Sequence, residues 1–565
     1  MPPRADVSPC PETGRWNRQT ITTVMQQYDE QRLQEHTSIR HFADTHNIPR
    51  ATLQYWLKRR DLIPHHPEVV ALFESPTGLA LLHQILLALH LIIGWMGGGG
   101  IRLISTFLEM TGLDAFLAPS YGVQQGIAVT MQQALVDFAQ QETNRLAKTM
   151  PHRDITVVED ETFLSSGICL VAIEPVSGFI LTETYAQSRD AQTWNETLNT
   201  ATEGLDVTVV QSTADEARAL GRHARDQGAH HSPDLFHISH EVSKAMALPL
   251  LRKESAALRA LEAAQAVVDK HHQARMRYEA RPPRGRRPHF EARIAEAESE
   301  VARAERCVAQ AHEHRLKWRG AVQSLSVQYH PYALDSGCPQ TAAQVKAMLE
   351  ATFDELRELS TAAELSERSK KKLEKAARQI PAMLSTLEFF EHSVRAHVSG
   401  LELPPQHESL LFDRLVPAAY LHRVGERSRC PDQRASLEVR VKRLLADDCV
   451  SGLCEADAAR LESAAFLCAD VFQRSSSCVE GRNGRLSQWE HSQRRLSPKK
   501  LAGLTVIHNF LIQRSDGTTA AQRFFGAKPR ELFDWLLQRI PHPPRPAKRR
   551  KKPAPYRLLQ PSESA

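Results

Sequence analysis

Three acids stand where a carboxylate can do chemistry. Asp160 ends the β-branched run DITVVED (154–160), Asp215 follows the run LDVTVVQST (205–213), and Glu480 sits far downstream in SSSCVEGRNGRLS. Carboxylates at the ends of adjacent strands of one sheet can point into one cleft, where two or three of them hold a pair of divalent ions ~3.5–4 Å apart. Oxygen donors suit a hard cation, Mg²⁺ or Mn²⁺, that keeps some of its waters. Such a pair serves phosphoryl transfer: one ion activates a water or 3′-hydroxyl and the other steadies the leaving oxygen. Strand-end aspartates are also ordinary turn formers, so local sequence leaves both readings open. Beyond Glu480, Asn483 shares its helical face at i+3. Arg482 and Arg485 can meet backbone phosphates or be solvated charges. Gly481 and Gly484 weaken the helix there. Trp489, close to Arg494 and Arg495, can stack an unpaired base or fill a core.

A second candidate lies near the start. In SIRHFADTHNIPRATLQYWLKRR (38–60), Ile39, Phe42 and Ala43 mark one face of a short helix, and Asn47-Ile48 makes a turn. Pro49 sits where a helix can begin, and Leu53, Trp56 and Leu57 give the second helix an apolar stripe. Arg50, Thr52, Gln54, Lys58, Arg59 and Arg60 cover the rest of its surface. That is a helix-turn-helix pattern whose second helix can reach phosphates and base edges of DNA. A generic helical hairpin is the other reading.

The elements that must position these residues follow. DITVVED, GICLVAIEP (167–175) and GFILTETYA (178–186) predict a three-strand meander with Val176-Ser177-Gly178 as a turn. A helix at 191–202, a strand at 205–213, a helix at about 216–227 and a short strand near Leu235–Ile238 complete a β-β-β-α-β-α-β order, an α/β layer architecture. From about Glu241 to Leu467 strand signals vanish. Two Ala/Glu/Arg-rich stretches flank RPPRGRRPH (281–289), which predicts an antiparallel coiled-coil arm with a basic tip. Further helices are expected at about 341–398, 406–424, 432–447 and 455–540. The implied organisation is a flexible tail (1–20), the helix-turn-helix (21–65), a helical region (66–150) broken at Gly97–Gly100, a first core part (151–245), an all-helical insertion (246–469), a second core part (470–540) and a disordered basic tail (541–565) carrying KRRKK (548–552).

Composition narrows the classes. The 565 residues are 42% hydrophobic and 24% charged, which excludes wholesale disorder and collagen-like chains. With 71 Lys+Arg against 66 Asp+Glu the net charge is +5, too small to point to nucleic acid by itself; the basic residues are clustered instead. Nine cysteines with no CxxC pair argue against zinc and for a reducing, cytoplasmic setting. MPPRADVSPC has no apolar core, so no signal peptide is expected. The apolar run Gly78–Gly97 carries His83, Gln84 and His90 and is read as a buried helix rather than a membrane span.

The meander, the next strand after one helix, and a late glutamate across a helical stretch resemble the RNase H-like DDE transposases. The layout especially resembles that of the bacterial insertion-sequence groups with an all-helical insertion before the glutamate. HSPDLFHISHEVSKA (231–245) looks like their short D-x-F-H segment, VEGRNGRLS (479–487) like the signature at their third acid, and NFLIQRSDGTTAAQRFFG (509–526) like the tail of a transposase-like family. The resemblance covers roughly 150–245 and 470–540. It implies a mixed five-stranded RNase H-like core of meander plus parallel strands, interrupted by the insertion. Asp160 would be the first acid and Glu480 the third. Asp215 best matches the second, with Asp234 as competitor. His237 and His240 would meet DNA, orient a carboxylate or be structural. Glu159 and Glu161 alternate to the other sheet face. The implied activity is Mg²⁺-dependent cleavage and joining of DNA at element ends by a homo-oligomer in the bacterial cytoplasm at the nucleoid. No membrane and no small-molecule cofactor are implied. A catalytically inactive, domesticated DNA-binding protein and a coiled-coil scaffold are the rival readings.

Overall fold

The computed structural model describes residues 16–446, 450, 452–493 and 495–546. Of the tails expected at 1–20 and 541–565, residues 1–15 and 547–565, with the KRRKK run, lie outside the described residues, as does Arg494. Residues 18–20 are not a loose tail but the first turn of a helix, which Asn17 caps by accepting from Gln19 N–H. At the N-terminus α1 (Arg18–Glu35), α2 (Ile39–Thr45) and α3 (Arg50–Asp61) bury a small core of their own, in which Met25, Tyr28, Phe42, Leu53 and Trp56 meet. Asn47 takes the left-handed turn between α2 and α3 at φ 53°, a conformation asparagine tolerates better than most residues. Next come α4 (Pro67–Glu74), α5 (Pro76–Leu89), α6 (Ile101–Met110) and α7 (Tyr121–Ala147).

Helix α5 runs on as a π-helical stretch, His90–Met96, and together they make the one described helix long and apolar enough to cross a membrane. Its Leu79, Leu82, Leu86, Leu87, Leu91 and Trp95 are buried in the main core, the placement of a core helix.

The sheet has the order β3-β2-β1-β4-β5. Strands β1 (Arg153–Leu164), β2 (Gly167–Glu174) and β3 (Phe179–Ala186) are antiparallel neighbours. After α8 (Ala191–Thr202), β4 (Val207–Ala214) lies parallel to β1. After α9 (Arg218–Asp226), β5 (His230–Pro233) lies parallel to β4. Gly178 turns the β2–β3 corner at φ +76°, where a side chain would be strained.

One element differs from expectation. Residues 235–238 are not a strand; β5 ends at Pro233 and Leu235 opens α10 (Leu235–Ala280). Leu-Phe-His-Ile is apolar enough to read as a buried strand, but the Asp234 carboxylate accepts from the backbone N–H groups of Phe236 and His237 and starts a helix instead. The helical insertion therefore begins at 235, not 246. Helices α10 and α11 (Phe290–Gln328) form the expected arm, tied across by Glu254 with His312 and Arg315. Then follow α12 (Ala342–Ala362), α13 (Glu367–Ala377), α14 (Ile380–Gly400), α15 (Pro405–Leu410), α16 (Val416–Arg427), α17 (Pro431–Leu445) and α18 (Glu455–Asp470). The insertion buries a second core, from Leu235 to Phe472.

The chain then returns to the sheet as α19 (Ser477–Gln493), α20 (Pro498–Phe510), α21 (Ala520–Phe525) and α22 (Leu532–Arg539). The main core joins both chain segments: Val158, Val171 and Ile180 of the sheet pack with Val479, Leu486, Ile507 and Phe524. Residues 541–546, expected as part of a loose tail, run back along the N-terminal helices. The Pro544 carbonyl accepts from Ala118 N–H at 3.2 Å, Arg545 pairs with buried Glu74 at 3.3 Å, and the Pro546 carbonyl accepts from Arg59.

Candidate active site

Strand register decides which acids share a face. In β1, Val158 pairs with Thr213 of β4, so Asp160 and Asp215, each two residues further on, fall on the same side of neighbouring strands. Asp215 follows the end of β4, but Asp160, expected to end its strand, lies inside β1, because pairing with β2 carries that strand on to Leu164. Across the antiparallel pairs, Asp160 is opposite Val171 and Val171 opposite Glu183, so Glu183 shares that face too. Helix α19 lies over it.

Two side chains one position apart in α19 fix the helix to the sheet. The Asn483 amide donates to the Asp160 carboxylate at 2.8 Å. Arg482 makes a two-pronged pair with Glu183, both distances 2.7 Å, and the Thr505 hydroxyl also donates to Glu183 at 2.7 Å. These ties, with Val479, Leu486 and Trp489 buried beneath, let the helix run through Gly481 and Gly484, which face open space. Arg482 is thus turned inward and not toward a DNA phosphate as expected. Only Arg485 of that pair is exposed. Replacing Arg482 with Ala leaves Glu183 as an uncompensated buried charge and should cost about 3–5 kcal/mol. Chemical denaturation checks it, and the double change Arg482→Met, Glu183→Leu should recover most of the loss.

Asp160 carries the electrostatic signature of an acid cluster. Burial first, and then the charge of Glu480, push its carboxyl up to about 7, with smaller contributions from Glu161 and Asp215. Like charges crowded together disfavour ionisation in this way. Glu480, in the first turn of α19, and Asp215, whose carboxylate accepts from Ala217 N–H at 2.8 Å, are half-buried. Asn483 Oδ1 is buried without a partner. Among the described residues no three His, Cys, Asp or Glu side chains close on one point at metal-binding distance. The side chains of Asp160, Asp215 and Glu480 offer oxygen donors only, the donor type that hard cations prefer.

Asp234 is occupied elsewhere. It is 3% exposed. Besides the two N–H groups of α10, it accepts from Ser476 N–H at 2.9 Å and from the Ser476 hydroxyl. Leu235 N–H donates to the Arg474 carbonyl at 2.9 Å, and the Gln473 carbonyl collects Gln211, Thr213 and Ser232. The two ends of the insertion are therefore pinned together at one carboxylate. Asp215 and Asp234 both border a cavity of about 230 Å³ between sheet and insertion, and His237 lines it. His240 stacks with Phe236.

Glu159 points to the opposite face, as the alternation predicts. It is fully buried, takes a hydrogen bond from Ser212 at 2.6 Å, and meets His223 Nε2 at 2.9 Å. Glu161 pairs with Arg189 at 2.7 Å. No local pattern could have announced the Glu183–Arg482 pair, whose members are 299 residues apart.

On α3, Arg50, Gln54 and Lys58 are exposed and Thr52 is half-buried. Arg59 and Arg60 are engaged within the protein, by the Pro546 carbonyl and by Asp29.

A family of unknown function (DUF6399) matches residues 411–552. That stretch holds the end of the insertion and α19–α22, and so Glu480 and Asn483, but not the sheet. No curated protein matches the chain.

Proposed function

We propose that the protein is a DNA transposase, or transposase-like nuclease, of the RNase H-like DDE type. The observation that carries this is the placement of three acids: Asp160 inside β1 and Asp215 just past β4 on one sheet face, with Glu480 brought by α19 close enough to raise the Asp160 carboxyl. The strand order β3-β2-β1-β4-β5, with one antiparallel meander and two parallel additions, supports an RNase H-like core, and the insertion before Glu480 supports the insertion-sequence type.

Asp160, Asp215 and Glu480 would hold Mg²⁺ or Mn²⁺. Divalent ions bound there supply an activated water or 3′-hydroxyl and charge relief at the leaving oxygen. Asn483 holds Asp160 in its rotamer and keeps one oxygen, Oδ1, unpaired beside the cluster. Arg485 is free to meet the strand's phosphates. Asp234 keeps the returning chain in register, so the second acid is assigned to Asp215.

The α2–turn–α3 unit is read as a helix-turn-helix that grips DNA through Arg50, Thr52, Gln54 and Lys58. Arg50→Ala and Lys58→Ala should each weaken binding of a fluorescent duplex and lower its logarithmic salt slope by ~0.9, with unchanged melting temperature. Arg59→Ala and Arg60→Ala should instead lower the melting temperature, since both bind protein. Equal salt slopes in all four variants would count against this surface.

The decisive assay is nicking of supercoiled plasmid carrying the DNA that flanks the protein's own coding sequence. Cleavage that needs Mg²⁺ and disappears in Asp215→Asn and Glu480→Gln, with DNA binding kept, is expected. Metal-dependent cleavage retained by either variant overturns the metal site. Metal-independent binding with no nicking favours a DNA-binding protein without catalysis.

A further inference from the structure

The glycine run 97–100 lies at the far end of α19 from Glu480, in a part of the protein the cleavage chemistry does not use. The π-helical stretch ends there with Gly97 N–H donating to Ile92 O and Gly99 N–H to Ile93 O, both at 2.7 Å. Gly98 has φ +70°, and a Cβ on Gly99 would lie 2.6 Å from the Ile93 side chain. A side chain at 98 would be strained, and one at 99 would force the Ile93 side chain aside. Gly100 then opens α6 in an extended conformation, and no side chain caps the helix. The N-terminal end of α6, at Gly100, Ile101 and Ile104, borders a cavity of about 420 Å³, on the side of the positive end of its dipole.

The opposite wall carries Lys500 and Arg495. Lys500 Nζ donates to the Gly94 carbonyl at 3.0 Å and sits 3.4 Å from the Trp95 ring centre. The ring reaches that position because position 503 is glycine; a Cβ there would be 2.5 Å from it. Ser492, Ser497, Gln125 and Gln132 add neutral donors, and among the described residues no Asp or Glu lines the cavity. Burial without a carboxylate partner pulls the lysine amine down to about 7. An arriving anion would supply the missing counter-charge and restore the ammonium form.

We propose that this cavity binds a phosphate group of a DNA strand, an inference that rests on the DNA reading above. Twelve residues of helix separate Glu480 from Ser492, about 18 Å at 1.5 Å each. At ~3.4 Å per base step the phosphate held here would lie roughly five nucleotides from the scissile bond. The cavity thus fixes the strand at a second point and sets its path along α19.

Two variants test this on the full chain. Gly100→Asp puts a carboxylate where a side chain meets nothing within 4 Å, and aspartate is a better helix N-cap than glycine, so folding is spared. Lys500→Met removes the cation and keeps an unbranched apolar stem beside the Trp95 ring. Binding of a fluorescent DNA duplex should weaken several-fold in each, with a salt slope lower by ~0.9, and neither variant should melt earlier than the wild type. Inorganic pyrophosphate should raise the melting temperature of the wild type and of neither variant. Unchanged DNA affinity and slope in both variants, with no pyrophosphate effect, overturns the site. Pyrophosphate protection with unchanged DNA binding overturns the strand as the ligand in favour of a free phosphate ester. Should the wild type bind no DNA while pyrophosphate still protects it, the DNA reading of the protein fails and the anion chemistry of the cavity stands.

Discussion

Asp160→Asn is expected to make the metal-free protein more stable above neutral pH while abolishing DNA cleavage. The folded-state carboxyl titrates near 7, against an ordinary value of 3.8. The unfolded chain gives up this proton more readily than the folded one, so stability falls as pH rises from about 4 and the loss is complete above about 7. Three units at 1.36 kcal/mol each set a ceiling near 4 kcal/mol, and solvent at this half-buried site reduces it to about 2–4 kcal/mol. Asparagine carries no charge and avoids that loss. The variant should therefore unfold at higher denaturant than wild type at pH 8 and at nearly the same concentration at pH 4. Adding Mg²⁺ should close the gap at pH 8, because a bound cation favours the ionised wild-type cluster and the variant has lost a ligand. Equal stability at pH 8, or equal Mg²⁺ protection of both proteins, contradicts the cluster.

Asp234→Ala should be the most damaging single change at the junction of sheet and insertion. The alanine leaves the first turn of α10 uncapped and strips two partners from Ser476. Losing a charged acceptor of four buried donors should cost about 3–5 kcal/mol. It also frees the segment that sets α19 on the sheet, so cleavage should fall together with stability. Asp234→Asn separates this from a catalytic role. It keeps the oxygen that serves Phe236 and Ser476 N–H and should retain measurable metal-dependent cleavage, whereas loss of a metal ligand would remove it. Proteolysis with a dilute protease should cut Asp234→Ala near 471–476 before the wild type. An Asn variant that folds like wild type but cleaves nothing would return Asp234 to the metal site.

How far these features were legible in the chain depends on distance. The meander strands are β-branched runs bounded by Gly167 and Gly178, and the alternation along β1 correctly sends Glu159 to the far face. Asp215 could be picked out because it follows β4, and Glu480 because it lies in the first turn of a helix, whereas Asp160, read as ending its strand, lies inside β1, which runs on to Leu164. Three things were hidden. The start of α10 reads as a strand because its apolar residues are consecutive, and only the Asp234 carboxylate decides for helix. Arg482 looks like a surface cation because its partner, Glu183, lies in another strand of the chain. Arg59 looks like a DNA contact because the carbonyl of Pro546 comes from the other end of the molecule. In each case a long-range partner overrides a local pattern, and one sequence contains no record of such pairings.

The pinned insertion has a consequence for how the protein is made. The sheet is complete at Pro233, but the helices that cover its Asp160 face begin at Ser477. At ~5–20 residues per second, a ribosome needs roughly 10–50 s to make the intervening ~240 residues. For that interval Val158, Val171 and Ile180 lack the Val479, Leu486 and Ile507 side chains that bury them. The nascent sheet must wait, bare on one side, while the insertion folds on its own core. Chaperone dependence should therefore track the length and folding speed of the insertion, and exchanging it for a short linker between 234 and 476 should let the sheet close soon after it emerges.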